Sequence, residues 1–302
     1  MMRLWVILLG FVVAACGAPP IDYRGKDAAH FEQPQRSTLG RPLIAVALGS
    51  GGPRGLTHVG VLKALEENGI VPDLIVGTSS GAIVGALYAS GMPLAEMEAM
   101  AMDLQPTEIL DFSYSDRGWI RGEALQNFVN RLVKQRPLEQ LPKEAAIVST
   151  DLKTGRAVVF NRGDTGLAVR ASSAIPGRFQ PVKINGKFYL DGDLVSPVPM
   201  RAARELGADV VIGVDVSAFI EDTPTERDFP TEWITTGTMR KTIVDHEARY
   251  ADVIIHPNIG YYAGWSDGYK RNCLTVGERA AVAAIPKIKA AIAAAQERIS
   301  AQ

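Results

Sequence analysis

From residue 42 to residue 296 the chain alternates short unbroken apolar runs with longer stretches in which apolar residues recur every three or four positions. Unbroken runs of four to eight residues suit strands buried on both faces, and the 3.6-residue period suits helices with one buried face. Strands are predicted over 42–48, 74–78, 145–149, 157–160, 210–216 and 252–256, and helices over 56–68, 82–89, 94–104, 122–133, 201–206 and 278–296. Residues 182–184 and 187–190 flank Asn185-Gly186, a strong short hairpin signal. Strands alternating with helices predict an α/β fold with a mainly parallel central sheet and helices on both faces. Residues 219–245 show no pattern that assigns them.

The first 41 residues differ in kind. Met1-Met2-Arg3 gives a positive start, 4–13 is an apolar run too short to span a bilayer, and Ala14-Ala15-Cys16-Gly17 is small. That is the shape of a secretory signal peptide. Val13-Ala14-Ala15-Cys16 resembles the lipobox of bacterial lipoproteins, which implies a signal over 1–15 and Cys16 as the lipidated new N-terminus; the alternative is an ordinary signal cut nearby. Acyl chains on one residue would hold the protein at a membrane surface, and Gly17, rather than an aspartate, after the cysteine resembles the outer-membrane-directed form of these lipoproteins, which implies the periplasmic face of a bacterial outer membrane. Residues 16–41 read as lipidated cysteine and flexible tether, with His30 exposed and idle, and 42–302 as one domain.

Composition narrows the classes. The 302 residues are 47% hydrophobic with a net charge of −1 and no basic cluster, which argues against nucleic acid. Two distant cysteines make neither a zinc site nor a disulfide framework, and no metal or cofactor is implied.

Two glycine-rich turns carry the candidate chemistry. Gly77-Thr78-Ser79-Ser80-Gly81 joins a strand to a helix, the G-x-S-x-G arrangement that exposes a serine hydroxyl at a strained turn beside a helix N-terminus; the plain alternative is a glycine turn packing a helix on a sheet. Gly49-Ser50-Gly51-Gly52-Pro53-Arg54-Gly55 follows the first strand. It lacks the Gly-Lys-Ser/Thr of a P-loop, and as a dinucleotide fingerprint its third glycine, Gly55, comes one residue late. As an oxyanion hole, Gly51, Gly52 and Arg54 would be the amide donors, since Pro53 has none. The Arg54 side chain would attract an anionic head group or form a surface ion pair.

A serine needs a base. His58 lies in the first turn of the helix after the glycine loop, a place for capping or packing. A Ser-Asp-His order is available as Ser79, Asp215 and His256, but that hydrolase fold has several strands before its elbow and here only one precedes it. The other candidate is Asp191, which follows the hairpin and precedes Gly192. A carboxylate base needs a partly desolvated site that raises its pKa.

The glycine loop, the G-x-S-x-G turn and the late Asp191-Gly192, in this order, resemble the patatin-like phospholipases; so does 171–182 (ASSAIPGRFQPV). The resemblance implies a three-layer fold and a Ser-Asp dyad of Ser79, the nucleophile, and Asp191, the proton acceptor. It also implies oxyanion donors around Gly51 and Gly52, and a lipid acyl ester as substrate. The rival is a non-catalytic envelope lipoprotein that binds lipid or a protein partner on the same fold. The chain departs from the family pattern at Asp193, where glycine or alanine is usual, at Ser50, for a usual glycine, and at Pro53, for a usual small residue; Asp193 and Pro53 leave the rival open.

Overall fold

A computed structural model describes residues 20–34, 40–113, 115–219, 231–260 and 262–301, so the signal sequence and Cys16 lie outside the described residues. In chain order the elements are β1 (Asp22–Tyr23), β2 (Ile44–Leu48), α1 (Thr57–Glu67), β3 (Leu74–Thr78), α2 (Ser80–Ala89), α3 (Leu94–Asp103) and α4 (Glu123–Leu132). There follow β4 (Glu144–Asp151), β5 (Ala157–Phe160), α5 (Thr165–Ser172), β6 (Val182–Ile184), β7 (Lys187–Asp191) and α6 (Met200–Glu205). β8 (Val210–Val214), α7 (Thr231–Glu247), β9 (Val253–Ile255) and α8 (Asp267–Ser300) complete the order.

Strand order is β1-β6-β7-β4-β3-β2-β8-β9, with β5 also on β4. The central β4-β3-β2-β8-β9 run is parallel, and β5 and β7 join β4 antiparallel. Alternate strand residues serve two cores. Val46, Leu48, Ile75, Ile147 and Ile212 face a large one with α1, α2, α4, α5 and α8, while Ala45, Ala47, Leu74, Val76 and Val211 face a smaller one with α6 and Val244 of α7. The continuous apolar runs thus mean what they predict, strands covered on both faces.

The registers bring two distant segments together. Along β4, β3 pairs as far as Thr78↔Val148, and the β7 pairing starts at the next residue with Asp191↔Ser149. Val148, Ser149 and Thr150 all have β5 on their other flank. So β3 and β7 occupy the same flank of β4 end to end, and the residue after Thr78 meets the last residue of β7.

Three differences from the sequence expectations have physical causes. Within the expected tether, residues 20–34 are a strap on the domain: β1 pairs with β6, Ala28 and Ala29 are buried, and His30 bridges Arg162. Its apolar contacts are too few to show as a period. α8 starts at Asp267, eleven residues before the expected 278, because it crosses α1 at backbone contact. A Cβ on Gly277 would stand 2.3 Å from Thr57 O, and one on Gly60 2.1 Å from Leu274 O. Small residues at such a crossing carry no apolar period. Within the unassigned 219–245 stretch, α7 begins at Thr231, and residues 220–230 lie outside the described residues.

Candidate active site

The turn between β3 and α2 is strained at one residue. Ser79 has φ 53° and ψ −118°, a conformation that costs a non-glycine residue of order 1–3 kcal/mol and persists only where the surroundings over-determine it. Here they do. A Cβ on Gly77 would lie 2.5 Å from Gly81 O, and one on Gly81 2.1 Å from Leu48 O, so both glycines are required for strand and helix to approach. Ser79 N–H donates to Ser172 Oγ at 2.8 Å, and Ser172 Oγ donates to Val148 O at 2.5 Å. Ser172, in the last turn of α5, therefore ties the elbow to β4.

Ser79 Oγ donates to Asp191 Oδ2 at 2.9 Å. The carboxylate also accepts Asp193 N–H at 2.9 Å on Oδ1. The Asp191 backbone is fixed through N–H to Ala174 O at 3.0 Å and by Thr150 Oγ1 donating to its carbonyl at 2.7 Å. Gly192 is required by space: a Cβ there would stand 2.3 Å from Val148 O. Asp191 is 2% exposed, and burial, with the Asp193 charge behind it, pushes its pKa up to about 7. A carboxylate bonded to a serine hydroxyl and poised near neutrality is equipped to take that proton.

The glycine loop lies beside the elbow because β2 is parallel to β3. Gly49 N–H donates to Val214 O and Ser50 N–H to Pro197 O, both at 2.9 Å. His58 Nε2 lies 2.7 Å from Gly49 O, so the proton is assigned to Nε2; burial lowers the ring's pKa to about 4 and keeps it neutral. His58 packs and holds the loop, as expected. Gly52–Leu56 forms a 3-10 turn in which Arg54 N–H donates to Gly51 O at 3.2 Å. This corrects the expectation for Arg54: its amide closes the turn and is not an oxyanion donor. Among the described residues no acceptor takes the N–H of Gly51 or Gly52. Gly52 has φ +57°, and a Cβ on Gly51 would stand 2.7 Å from Val216 Cγ2. The Arg54 side chain, with Gly51, Ser217, Arg240 and Tyr262, lines a cavity of about 320 Å³.

Asp215 and His256 are brought together, but apart from Ser79's hydrogen bond. His256 Nδ1 lies 2.9 Å from Asp215 O and 3.6 Å from Asp215 Oδ2, and its ring stacks on Phe219. Ser79 is bonded to a carboxylate, so the Ser79-Asp215-His256 order is not the one assembled.

Sequence reasoning missed Ser172 and Arg240. Arg240, on α7, pairs with the Asp193 carboxylate, which also accepts from Ser50 Oγ. Arg240 Nη1 donates to Ser50 Oγ at 2.6 Å, Nη2 to Ser50 O at 2.9 Å, and Nε to Ser217 Oγ at 2.6 Å; Asp215 Oδ1 is 3.7 Å away. Ser50 and Asp193, two residues that depart from the family pattern, thus meet each other under one guanidinium. Ser172 had a signal in the small, tightly turning stretch from 171 to 177; Arg240 had none.

Comparisons with known proteins identify the family and the fold. The family model described as patatin-like phospholipase matches residues 46–204. An uncharacterised NTE family protein of Mycobacterium tuberculosis is 40% identical over 179 residues, covering 58% of this chain and 49% of the relative. Human patatin-like phospholipase domain-containing protein 6 is 34% identical over 185 residues, covering 58% of this chain and 13% of the relative. The crystal structure of VipD from Legionella pneumophila superposes with a TM-score of 0.59 at 12% identity, covering 91% of this chain and 72% of that one, which shows a shared fold. The chain spans about half the length of the mycobacterial relative and far less of the human one. With more than half of the chain matched by the family model, this protein belongs to the patatin-like phospholipase family.

Proposed function

We propose that the protein is a serine acyl hydrolase that cleaves lipid acyl esters with Ser79 as nucleophile and Asp191 as base, and that an acylated Cys16 holds it on the periplasmic face of a bacterial outer membrane. Asp191 Oδ2 accepts the Ser79 proton as Oγ attacks the ester carbonyl. The oxyanion is received by the N–H groups of Gly51 and Gly52, in the positive field of the α2 N-terminus. Protonated Asp191 returns the proton to the leaving alkoxide. Water, deprotonated by Asp191, then releases the fatty acid and regenerates the serine. The Ser79 to Asp191 hydrogen bond at a strained elbow carries this reading. The substrate class is supported by the family and by the relatives whose names contain phospholipase and lysophospholipase.

Nothing favours the non-catalytic reading. The Asp193 carboxylate that motivated it is occupied by Ser50 and Arg240, and Pro53 sits in the first turn of a 3-10 helix, where a missing N–H leaves no bond unmade.

The test is hydrolysis of p-nitrophenyl esters of increasing chain length by the full chain, with Ser79→Ala beside it. Activity lost in the variant supports the nucleophile, and activity equal in both rejects it. For the anchor, labelled palmitate should enter the wild type in cells and not Cys16→Ala; equal incorporation would reject acylation at Cys16.

A further inference from the structure

The aromatic pair at the outer edge of the sheet has no role in the mechanism. Phe112 and Trp119 are 64% and 50% exposed and stack on each other, ring centroids 5.4 Å apart and planes within 6°. They stand on a firm base: Trp119 N–H and Ile120 N–H both donate to Arg178 O at 2.9 Å, Gln180 N–H donates to Ile120 O at 2.8 Å, and Gly118 packs against the Phe179 backbone. Arg117, in the same loop, lies over the Phe188 ring of β7, with Lys183 of β6 over that ring as well. Exposed Leu152 is bonded through its N–H to Phe188 O. Among the described residues no carboxylate pairs with Arg117 or Arg178, both exposed, and Asp116 is the only acid between the two stacked rings. Exposed aromatics in a loop that also carries the exposed Arg117, held on the backbone of the exposed Arg178, match the two layers of an anionic lipid interface, headgroup and upper acyl region.

We propose that this face, β1, β6 and β7 together with the loop from Asp111 to Arg121, is the surface by which the protein lies on an anionic phospholipid bilayer. The inference rests on the hydrolase and anchor readings above, and names the orientation in which that site meets its substrate.

Two further observations fix the direction. β7 runs from Lys187 inward to Asp191, and Asp191 is level with the residue after the carboxyl end of β3. Phe188 therefore projects beyond the strand ends on the side where Ser79 opens, three residues from the base. The chain enters the domain at the same place. Asp22 pairs with Lys183 of β6, itself paired with Phe188. Five residue steps separate Cys16 from Ile21, two of them ending in proline, which spans at most about 18 Å. An acylated Cys16 would hold this edge of the sheet, rather than the opposite one, against the bilayer.

The experiment uses the acylated full chain in vesicles of phosphatidylethanolamine and phosphatidylglycerol at 7:3, with and without brominated acyl chains. The Trp119→Phe spectrum subtracted from that of the wild type isolates Trp119 emission. The proposal expects that emission to be quenched by brominated lipid. It also expects Phe112→Ser/Trp119→Ser/Arg117→Glu to lower hydrolysis of vesicle phospholipid about 10-fold while leaving a soluble short-chain ester unaffected. Unquenched Trp119, or an unchanged vesicle rate in the triple variant, would overturn it. So would a dimer that Trp119→Ser dissociates, since the face would then belong to a second copy. Failure of the hydrolase reading is separately visible: no ester would be turned over by the wild type, whatever Trp119 reports.

Discussion

Asp191 and Asp215 are two aspartates at the ends of neighbouring parts of one sheet, each 2% exposed, and they end at opposite extremes. Burial opposes ionisation of both. At Asp215, bonds from His256 and Ser217 and the Arg240 charge outweigh burial and pull its pKa down to about 2. At Asp191 the partners are one serine hydroxyl and one amide, a second carboxylate stands two residues on, and burial wins, at about 7. The difference is in the donors, not the depth. A saturated carboxylate is fixed as an anion and serves structure, whereas a half-satisfied one keeps its proton available. Arg240 touches both clusters, through Asp193 on one side and Asp215 on the other.

The largest effect should separate the two residues outright. Asp191→Asn should lower kcat/KM on a soluble ester by about 10²- to 10⁴-fold, the range of a lost general base. Asp215→Asn should change it less than about 10-fold while lowering stability by about 1–3 kcal/mol through lost hydrogen bonds to a charge, read by denaturant unfolding. Equal losses of activity would dissolve the distinction.

A smaller effect should appear in the pH profile. Activity requires ionised Asp191, so kcat/KM should rise with pH through a limb near 7. Arg240→Gln removes a positive charge and leaves Asp193 unneutralised, so the limb should move to higher pH, by about one unit. Asp193→Asn should move it to lower pH, and Asp193→Gly should reverse the shift in the Arg240→Gln background. A limb that ignores both charges would mean that Asp191 is not the group titrating.

The smallest effect is on stability, with opposite windows. Asp191 has a raised folded pKa, so its favourable contribution is complete below the unfolded value near 4 and is lost as pH rises through about 7. Glu247, buried and also raised to about 7, acts in the same window. Asp215 contributes above about pH 4 and loses that contribution as pH falls through about 2. Asp191→Asn should therefore be level with the wild type at pH 4 and more stable by on the order of 4 kcal/mol at pH 8. The deficit of Asp215→Asn should be full at pH 8 and close towards pH 2. Thermal unfolding across that range reads both.

How far the sequence carries can be judged from these residues. The parallel strands, the elbow and the Asp191 hairpin were legible because each depends on local pattern: unbroken apolar runs, glycines at a forced close approach, and Asn185-Gly186 at a turn. Asp191's place beside Ser79 was legible only through family resemblance, since the meeting depends on β3 and β7 sharing one flank of β4, a register no local pattern encodes. Arg240 was not legible at all. It lies on a helix with few buried residues, and its partners are 47 and 190 positions away. The Arg54 amide was misassigned because the glycines hide a 3-10 turn. The strap over residues 20–34 was missed because two alanines and a two-residue strand make no periodic signal.

The most direct test of the Ser79–Asp191 pair is the rate at which a fluorophosphonate labels the full chain as a function of pH, with the modified peptide identified by mass. The account predicts a single adduct on Ser79, formed faster as pH rises through a limb near 7 and almost abolished in Asp191→Asn. An adduct on another residue, or an undiminished labelling rate in Asp191→Asn, would contradict it.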